Sequence, residues 1–467
     1  MSEADTLFGL LRQSADSSAV AAIEHLVRDA PDRELCRINP LAFAAKAGIG
    51  EEPAIAAFLH AARLGVFELS WNVLCPGCGG VLDANATLRT LSRESYNCAL
   101  CCAGYEPNLD EMVEVTFTVS PRTRRIAAHD PESLSVVEYF RQLFWGSGFD
   151  VPDDLEGIFQ EVTLETVELP AGEKAILSLQ LPAKFLIVFD PVTHATQFLD
   201  VKGEPTRERR ALSMILSKTH TPNTTMELQP GPIRLSLDNQ TGVRVLPGIW
   251  IADDPLHALF ARRRPFLTAK RLLTNQTFRD IFRTDTLDVD QRLKITSLTF
   301  MFTDLKGSTE LYERVGDLVA FDLVKAHFRV LQDIVAAEAG AVVKTIGDAV
   351  MATFSTPDRA VAAALRIREE MRQLKDGEGQ DLLVKIGIHE GPCLAVVLND
   401  RQDYFGQTVN IAARVQGLAM ARSIYATGPV VKHAGTSRLL ERSGLTPMPQ
   451  RTALRGIADE LSLYEIP

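Results

Sequence analysis

Leu298-Thr-Phe-Met-Phe-Thr-Asp304 reads as a buried β-strand that ends in a carboxylate. Leu305 and Lys306 follow, then Gly307-Ser-Thr309, and a helix is expected from about Glu310. Gly307, Ser308 and Thr309 at a helix start would present backbone N–H groups and the positive end of the helix dipole to a phosphate. Ser and Thr are also ordinary N-caps, so the signal is weak on its own. No Gly-x4-Gly-Lys-Ser/Thr loop occurs in the chain, which excludes a Walker A motif.

Working outward, Ala341 to Phe354 places two apolar strands around Gly347-Asp348, a hairpin with a carboxylate at its tip. Asp304 and Asp348, both at strand ends of one domain, can hold two divalent cations as phosphoryl-transfer chemistry requires. A third segment runs from Val384 to Gly391 and on through Asp403-Tyr-Phe-Gly-Gln-Thr-Val-Asn410 to Arg414. Gly406 ends a strand there, and a helix is expected from Gln407 or Thr408. Asn410 and Arg414 are four apart and share a face of that helix. An Asn and an Arg side by side can position a sugar oxygen and neutralise charge on a transferring phosphoryl group.

In this order and spacing the three segments resemble the catalytic domain of class III adenylate and guanylate cyclases, over residues 293–467. Phe302-Thr-Asp304, Lys344-Thr-Ile-Gly-Asp348 and Asp403 to Asn410 with Arg414 carry the resemblance. It implies a ferredoxin-like, palm-type α+β domain that turns ATP into 3′,5′-cyclic AMP and pyrophosphate by two-metal-ion catalysis at a homodimer interface. By the same resemblance Asp304 and Asp348 would bind Mg2+ or Mn2+, with the Leu305 carbonyl as a further ligand. Lys344 and Asp403 would read the base, Asn410 would orient the ribose, and Arg414 would stabilise the charged transition state. Arg455 and Lys385 would meet the triphosphate. Lys344 can donate to adenine N1 and Asp403 can accept from the adenine amino group, whereas guanine mismatches both contacts. Guanylate cyclases of the family usually carry Glu and Cys, or a similar residue, at these two positions. The chain departs from many relatives at Gly307-Ser-Thr309, where they have Gly-Phe or Gly-Tyr, a change expected to alter packing rather than the metal site.

The rest of the chain reads as a multidomain α+β assembly preceding that domain. Residues 1–70 are expected to form a small helical unit, with two helices joined by a Gly-containing turn between Pro40 and Ala62. That pair could be a DNA-reading motif, but its second helix, Glu51 to Ala62, has no Lys or Arg to meet phosphates. Residues 71–108 hold Cys75-Pro-Gly-Cys78 and Cys98-Ala-Leu-Cys101, separated by nineteen residues, the spacing of a structural four-cysteine zinc knuckle. Cys102 is a possible substitute for Cys101. Residues 109–270 read as a β-rich domain, an antiparallel sandwich or barrel, from runs such as Val113–Val119, Ala175–Leu181, Phe185–Phe189, Ile233–Leu237 and Val243–Ile251. A connector at 271–292 has apolar residues at helical spacing over Leu272–Phe282 and is expected to set protomer alignment. This N-terminal half is expected to regulate the cyclase through an unknown ligand or protein.

Composition narrows the partners. The 467 residues carry a formal charge of −11, which argues against a broad nucleic-acid surface. Arg262–Arg264 and Arg207–Arg210 are the densest basic clusters and are expected in solvated loops. No apolar run approaches the ~20 residues of a membrane span, and Met1 to Leu11 lacks the order of a secretory signal. Both point to the cytoplasm, as does the crowding of five of seven cysteines between Cys75 and Cys102, with Cys36 and Cys393 alone. Two alternatives stay open: a guanylate cyclase, and a catalytically silent cyclase-like scaffold.

Overall fold

The computed structural model describes residues 3–91, 95–217, 225–282, 292–373, 382–398, 401–450 and 461–467. The chain divides into two compact units, Met1–Leu267 and Thr268–Pro467, with Thr87–Ser92 and Asn108–Asp110 belonging to the second.

The second unit is built on one antiparallel-rich sheet. Strand β1 (Leu293–Leu305) is followed by helices α1 (Ser308–Val315) and α2 (Asp317–Ala337), then strands β2 (Gly340–Ile346) and β3 (Ala349–Phe354). Helix α3 (Pro357–Glu370), strands β4 (Val384–Leu398) and β5 (Arg401–Phe405) and helix α4 (Gln407–Leu418) come next, then β6 (Ile424–Thr427), β7 (Met448–Gln450) and β8 (Leu463–Ile466). The strand order is β2-β3-β1-β4-β6-β8-β7, with β5 paired to β4. The segment β1-α-β2-β3-α-β4 with order β2-β3-β1-β4 is the ferredoxin-like arrangement.

Residues Leu298 to Thr303 of β1 are buried without alternation, because helices cover both faces of the sheet there. Helix α2 buries Ala320, Val324, His327, Leu331 and Ile334 at helical spacing against Met301, Val350, Ile386 and Ile388. Helix α4 covers the other face. It buries Thr408, Ile411, Ala412 and Val415, and its backbone crosses β4 so closely that a Cβ on Gly387 would stand 2.1 Å from Gln416 N. Glycine at 387 is thus a packing requirement.

Two histidines are sealed into this unit. Burial pushes His327 and His389 down from the ordinary 6.5 to about 4. His389 shares a hydrogen bond of 2.8 Å with Thr427 Oγ1. The unfolded chain protonates these rings near pH 6.5 and the folded chain does not, so stability is lost as pH falls from 6.5 toward 4, by at most about 3 kcal/mol per histidine. Replacing His389 by Gln should therefore flatten the pH dependence of urea unfolding between pH 7 and 5, by about 2 kcal/mol. An unchanged slope would count against this linkage.

The first unit starts with helices Glu3–Ser14, Ser17–Asp29, Pro40–Ala47 and Glu51–Arg63. Asn39 caps the third by accepting from Leu41 N and Ala42 N, and Gly48 ends it at φ 67°. Phe58 packs among Phe43, Phe67 and Phe117, which seats the helices on a sheet ordered Val81–Asn85, Phe67–Leu74, Val113–Val119. A strand thus begins at Phe67, inside the segment expected to be helical.

Two further sheets sandwich a core that includes Leu186, Val188, Leu199, Ile233, Leu235 and Leu237. They are mixed rather than antiparallel, since Arg210–Leu216 runs parallel to Gly231–Asn239, and Met226–Leu228 parallel to Thr196–Val201. The segment Asn239–Gly242 leads from one of these sheets toward the other. Gly231–Asn239 lies in the three-stranded sheet and Gly248–Ile251, the only strand within the expected 243–251 run, lies in the five-stranded one. Asn239 Nδ2 explains the crossover by donating to the carbonyls of Leu169, Pro170 and Val243. Arg262–Arg264 lie exposed in a loop, as expected, and the loop is tied down. Arg262 pairs with Asp150 at 2.8 Å, Arg263 donates to the Gly77 carbonyl, and Arg264 Nε donates to the Ser147 carbonyl.

Candidate active site

Register puts Asp304 at the end of β1. Thr303 pairs with Val350 on one side, and Asp304 faces Lys385 on the other. Asp348, in the β2–β3 turn made by Gly347 at φ 64°, therefore comes to the same edge. The two carboxylates sense each other. Burial first, then the Asp348 charge, raises the Asp304 pKa, partly offset by Lys385 and by a hydrogen bond from Gln416. Asp348 Oδ2 is buried and without a protein partner. An orphaned carboxylate oxygen beside a second carboxylate fits a hard divalent cation. Lys385, expected at the triphosphate, sits against Asp304. The Leu305 side chain is buried in the core.

Lys344 and Asp403 meet directly, with Lys344 Nζ donating to Asp403 Oδ2 at 2.5 Å. Asp403 is held from behind, because its Oδ1 accepts from Tyr404 N at 2.8 Å. Lys344 follows a bulge, a register shift between Val342 and Lys344, which turns its side chain and leaves the Val343 carbonyl outside the ladder. Asn410 and Arg414 lie on the exposed face of α4. Gly307 takes φ 72° at the start of α1, with Ser308 its first residue. Arg455 and the side chain of Thr309 lie outside the described residues.

Sequence reasoning missed three participants. Gln416 is two residues beyond Arg414 and reaches Asp304. His327 packs beneath the Asp348 turn. The third is Arg279. The connector is not one helix but two, Ala269–Leu273 and Gln276–Ile281, parted at Asn275, whose side chain caps the second through Phe278 N. From that second helix Gln276 Oε1 accepts from Val342 N at 2.8 Å. Arg279 Nη2 donates to the carbonyls of Val343 and Gln402, at 3.5 and 2.9 Å. Those carbonyls immediately precede Lys344 and Asp403. An Arg–x–x spacing on a short helix carries no sequence signal for such a clamp.

In the first unit Cys75, Cys78, Cys98 and Cys101 bring their sulfurs within 4.8 Å of one another and could hold a metal ion. Cys75 Sγ lies 3.5 Å from Cys101 Sγ, and Cys78 Sγ 3.7 Å from Cys98 Sγ, close to the ~3.8 Å edge of a tetrahedron with 2.3 Å zinc–sulfur bonds. The first knuckle closes through Gly79 N to Cys75 O and Cys75 N to Gly80 O. A Cβ at Gly77 would stand 2.8 Å from Cys101 Sγ, so only glycine lets the second knuckle approach. Cys102 stands outside the set, exposed and with φ 50°. Among the described residues no helix is long and apolar enough to cross a membrane.

Residues 1–280 match a family of unknown function, DUF5939, and residues 291–452 match the adenylate and guanylate cyclase catalytic domain. An adenylate cyclase of Mycosarcoma maydis is 30% identical over 167 residues, 31% of this chain and 7% of that protein. Adenylate cyclase 2 of Rhizobium meliloti (strain 1021) is 35% identical over 133 residues, 26% of this chain and 36% of that one. The chain thus spans well under two thirds of the length of these relatives. Among solved structures, the adenylyl cyclase CyaB from P. aeruginosa aligns at 23% identity with a TM-score of 0.33, over 38% of this chain and 95% of that one. The guanylate cyclase domain of RhGC from Catenaria anguillulae in complex with GTP aligns at 23% identity and a TM-score of 0.34, over 37% and 97%.

Proposed function

Because this chain belongs to the family of unknown function DUF5939 and carries an adenylate and guanylate cyclase catalytic domain, we propose that it is an adenylate cyclase converting ATP to 3′,5′-cyclic AMP and pyrophosphate. The single observation that carries the choice of ATP is the Lys344–Asp403 pair. A lysine donor and a carboxylate acceptor, held side by side, complement adenine N1 and its amino group, and present the wrong partners to the guanine N1–H and carbonyl.

Asp304 and Asp348 would hold Mg2+ or Mn2+. Bound there, the metal lowers the pKa of the ribose 3′-hydroxyl and neutralises phosphate charge. The chain's own residues do the rest. Lys344 and Asp403 fix the base, Asn410 holds the ribose so that O3′ lies in line with the α-phosphorus, and Arg414 balances the charge that builds on the leaving pyrophosphate. Gly307 and Ser308 at the α1 start face phosphate with N–H groups. Asn410 and Arg414 stand exposed on α4, as groups that complete the site of a second copy would; this supports a symmetric homodimer with two sites. Zinc on the four cysteines would hold the knuckle in the regulatory half.

The reading is tested with purified protein given ATP or GTP separately in Mg2+ or Mn2+, beside Asp304→Ala. Cyclic AMP from ATP, absent in the variant, is expected. Product from GTP alone would transfer the assignment to a guanylate cyclase, and no product from a folded dimer would favour the scaffold.

Arg279 is the positioning residue of this site. Arg279→Met should release the Val343 and Gln402 carbonyls, raise KM for ATP by about tenfold and narrow the preference for ATP over GTP, with a smaller change in kcat. A purely structural role would lower thermal stability and leave the ATP-to-GTP ratio intact.

A further inference from the structure

We propose that the N-terminal unit binds a small organic anion with a flat aromatic body, in a cavity between the Pro40–Ala47 helix and the Arg141–Asp153 segment. The cavity has a volume of about 440 Å3, within the range of small-molecule sites. Its wall carries five cations, Arg33, Arg37, Lys46, Arg141 and Arg264, against the carboxylates of Glu34 and Asp153. In a chain of net charge −11 this is a local reversal of sign.

The cations are not equivalent. Lys46 is paired with Glu34 at 2.7 Å, and Arg141 with Glu138 at 3.4 Å. Arg37 and Arg264 instead donate to main-chain carbonyls, of Leu143 and Ser147, and form no ion pair among the described residues. A carbonyl orients a guanidinium without cancelling its charge, so both remain open to a charge-assisted bond. The buried acid Glu114 feels the Arg37 charge but forms no ion pair with it, its oxygens accepting from Asn72 Nδ2, Ser147 N and Ser147 Oγ. Gathering like charges in a concave wall is unfavourable without a counter-charge. Arg37 is moreover held in the left-handed region at φ 47°, with its N–H fixed by Thr118 Oγ1 at 3.0 Å. Such backbone strain in a non-glycine residue is characteristic of ligand clamps.

The apolar part of the wall selects the body of the ligand. Trp145 lies parallel to Phe149, with ring centroids 4.2 Å apart, and Phe43 joins them on the lining. Trp145 Nε1 and Gln142 Oε1 belong to lining residues only 3% and 5% exposed, and neither atom has a protein partner. Both atoms are closed off from the cavity itself. A planar ring bearing an acid group answers the two features that face it: charge for the arginines and a face for the aromatic wall.

The test titrates the full-length chain with phenyl phosphate, inorganic phosphate and benzyl alcohol, read by calorimetry and tryptophan emission. All three tryptophans, Trp71, Trp145 and Trp250, precede the catalytic segment, so an emission change reports the N-terminal unit. Phenyl phosphate should bind saturably at one site per chain and shift the emission. Inorganic phosphate should bind about tenfold more weakly, and benzyl alcohol not at all at equal concentration. Arg37→Met and Arg264→Met should each weaken phenyl phosphate by about tenfold or more. Arg264→Met, whose backbone is unstrained, serves if Arg37→Met fails to fold. Absence of saturable binding to the folded wild type, binding without an emission change, or affinity unchanged in Arg264→Met would each overturn the proposal.

Discussion

Asp348→Asn is expected to lower cyclic-nucleotide turnover by about 10²–10³-fold while leaving the catalytic unit as stable as before, or slightly more so. The two halves of this result come from one geometry. Asp348 sits at the hairpin tip with its Oδ2 buried and unpartnered, so no protein hydrogen bond of that oxygen is lost on substitution. Its negative charge raises the pKa of Asp304, so in the metal-free protein the pair repels. An amide of the same shape removes that repulsion. It also removes one of the two anionic ligands available to a divalent cation, and with it the charge that would activate the ribose hydroxyl. Product formation from ATP and the melting temperature of the metal-free protein, measured together, decide the matter. A clear loss of stability with activity preserved would make Asp348 a structural residue of the turn and would undo its assignment to the metal.

The pattern of what could be read from the sequence follows from the range of the interactions. Asp304, Gly347-Asp348 and Gly406 are legible because a strand end, a two-residue turn and a helix start are local events, set by φ preferences and period. The cysteine spacing is legible for the same reason, since each knuckle closes within a few residues. The choice between Cys101 and Cys102 was not, because it depends on the Tyr96–Cys98 and Ala103–Tyr105 pairing that directs Cys101 inward. Strand pairing in the N-terminal half is not legible at Asn239–Gly242, where turn-forming residues say that the chain reverses but not which sheet receives it. Arg279 was invisible for a further reason. Its partners are two main-chain carbonyls, and one is free only because a bulge lifts Val343 out of the ladder. A backbone acceptor leaves no side-chain signature in a sequence.

That same locality makes the cysteine cluster the sharpest test of how the N-terminal unit is held together. Cys98→Ser is expected to abolish a bound zinc of one per chain, measured by elemental analysis, and to destabilise the first unit by several kcal/mol, on the order of a lost structural metal. Cys75, Cys78 and Cys98 are only 1, 4 and 2% exposed. The pKa of Cys75 is held low, chiefly by its hydrogen bond with Cys101, while those of Cys78 and Cys98 are driven up, again chiefly through Cys101, so without an ion the four sulfurs are not all thiolates. The surrounding segment contributes little core of its own: two short strands, a pair of knuckles and Gly77, whose missing Cβ lets Cys101 Sγ approach. A tetrahedral cation satisfies all four sulfurs at once and converts that poor packing into a cross-link between residues twenty apart and more. Cys102→Ser supplies the control. Its thiol is exposed and outside the cluster, so metal content and melting should stay at wild-type values. Wild-type protein that carries no metal as purified, and melts identically with and without a strong chelator, would show that the cluster is a set of packed thiols, and the stability of this segment would then have to come from the Arg263 contact to Gly77 and the aromatic wall behind it.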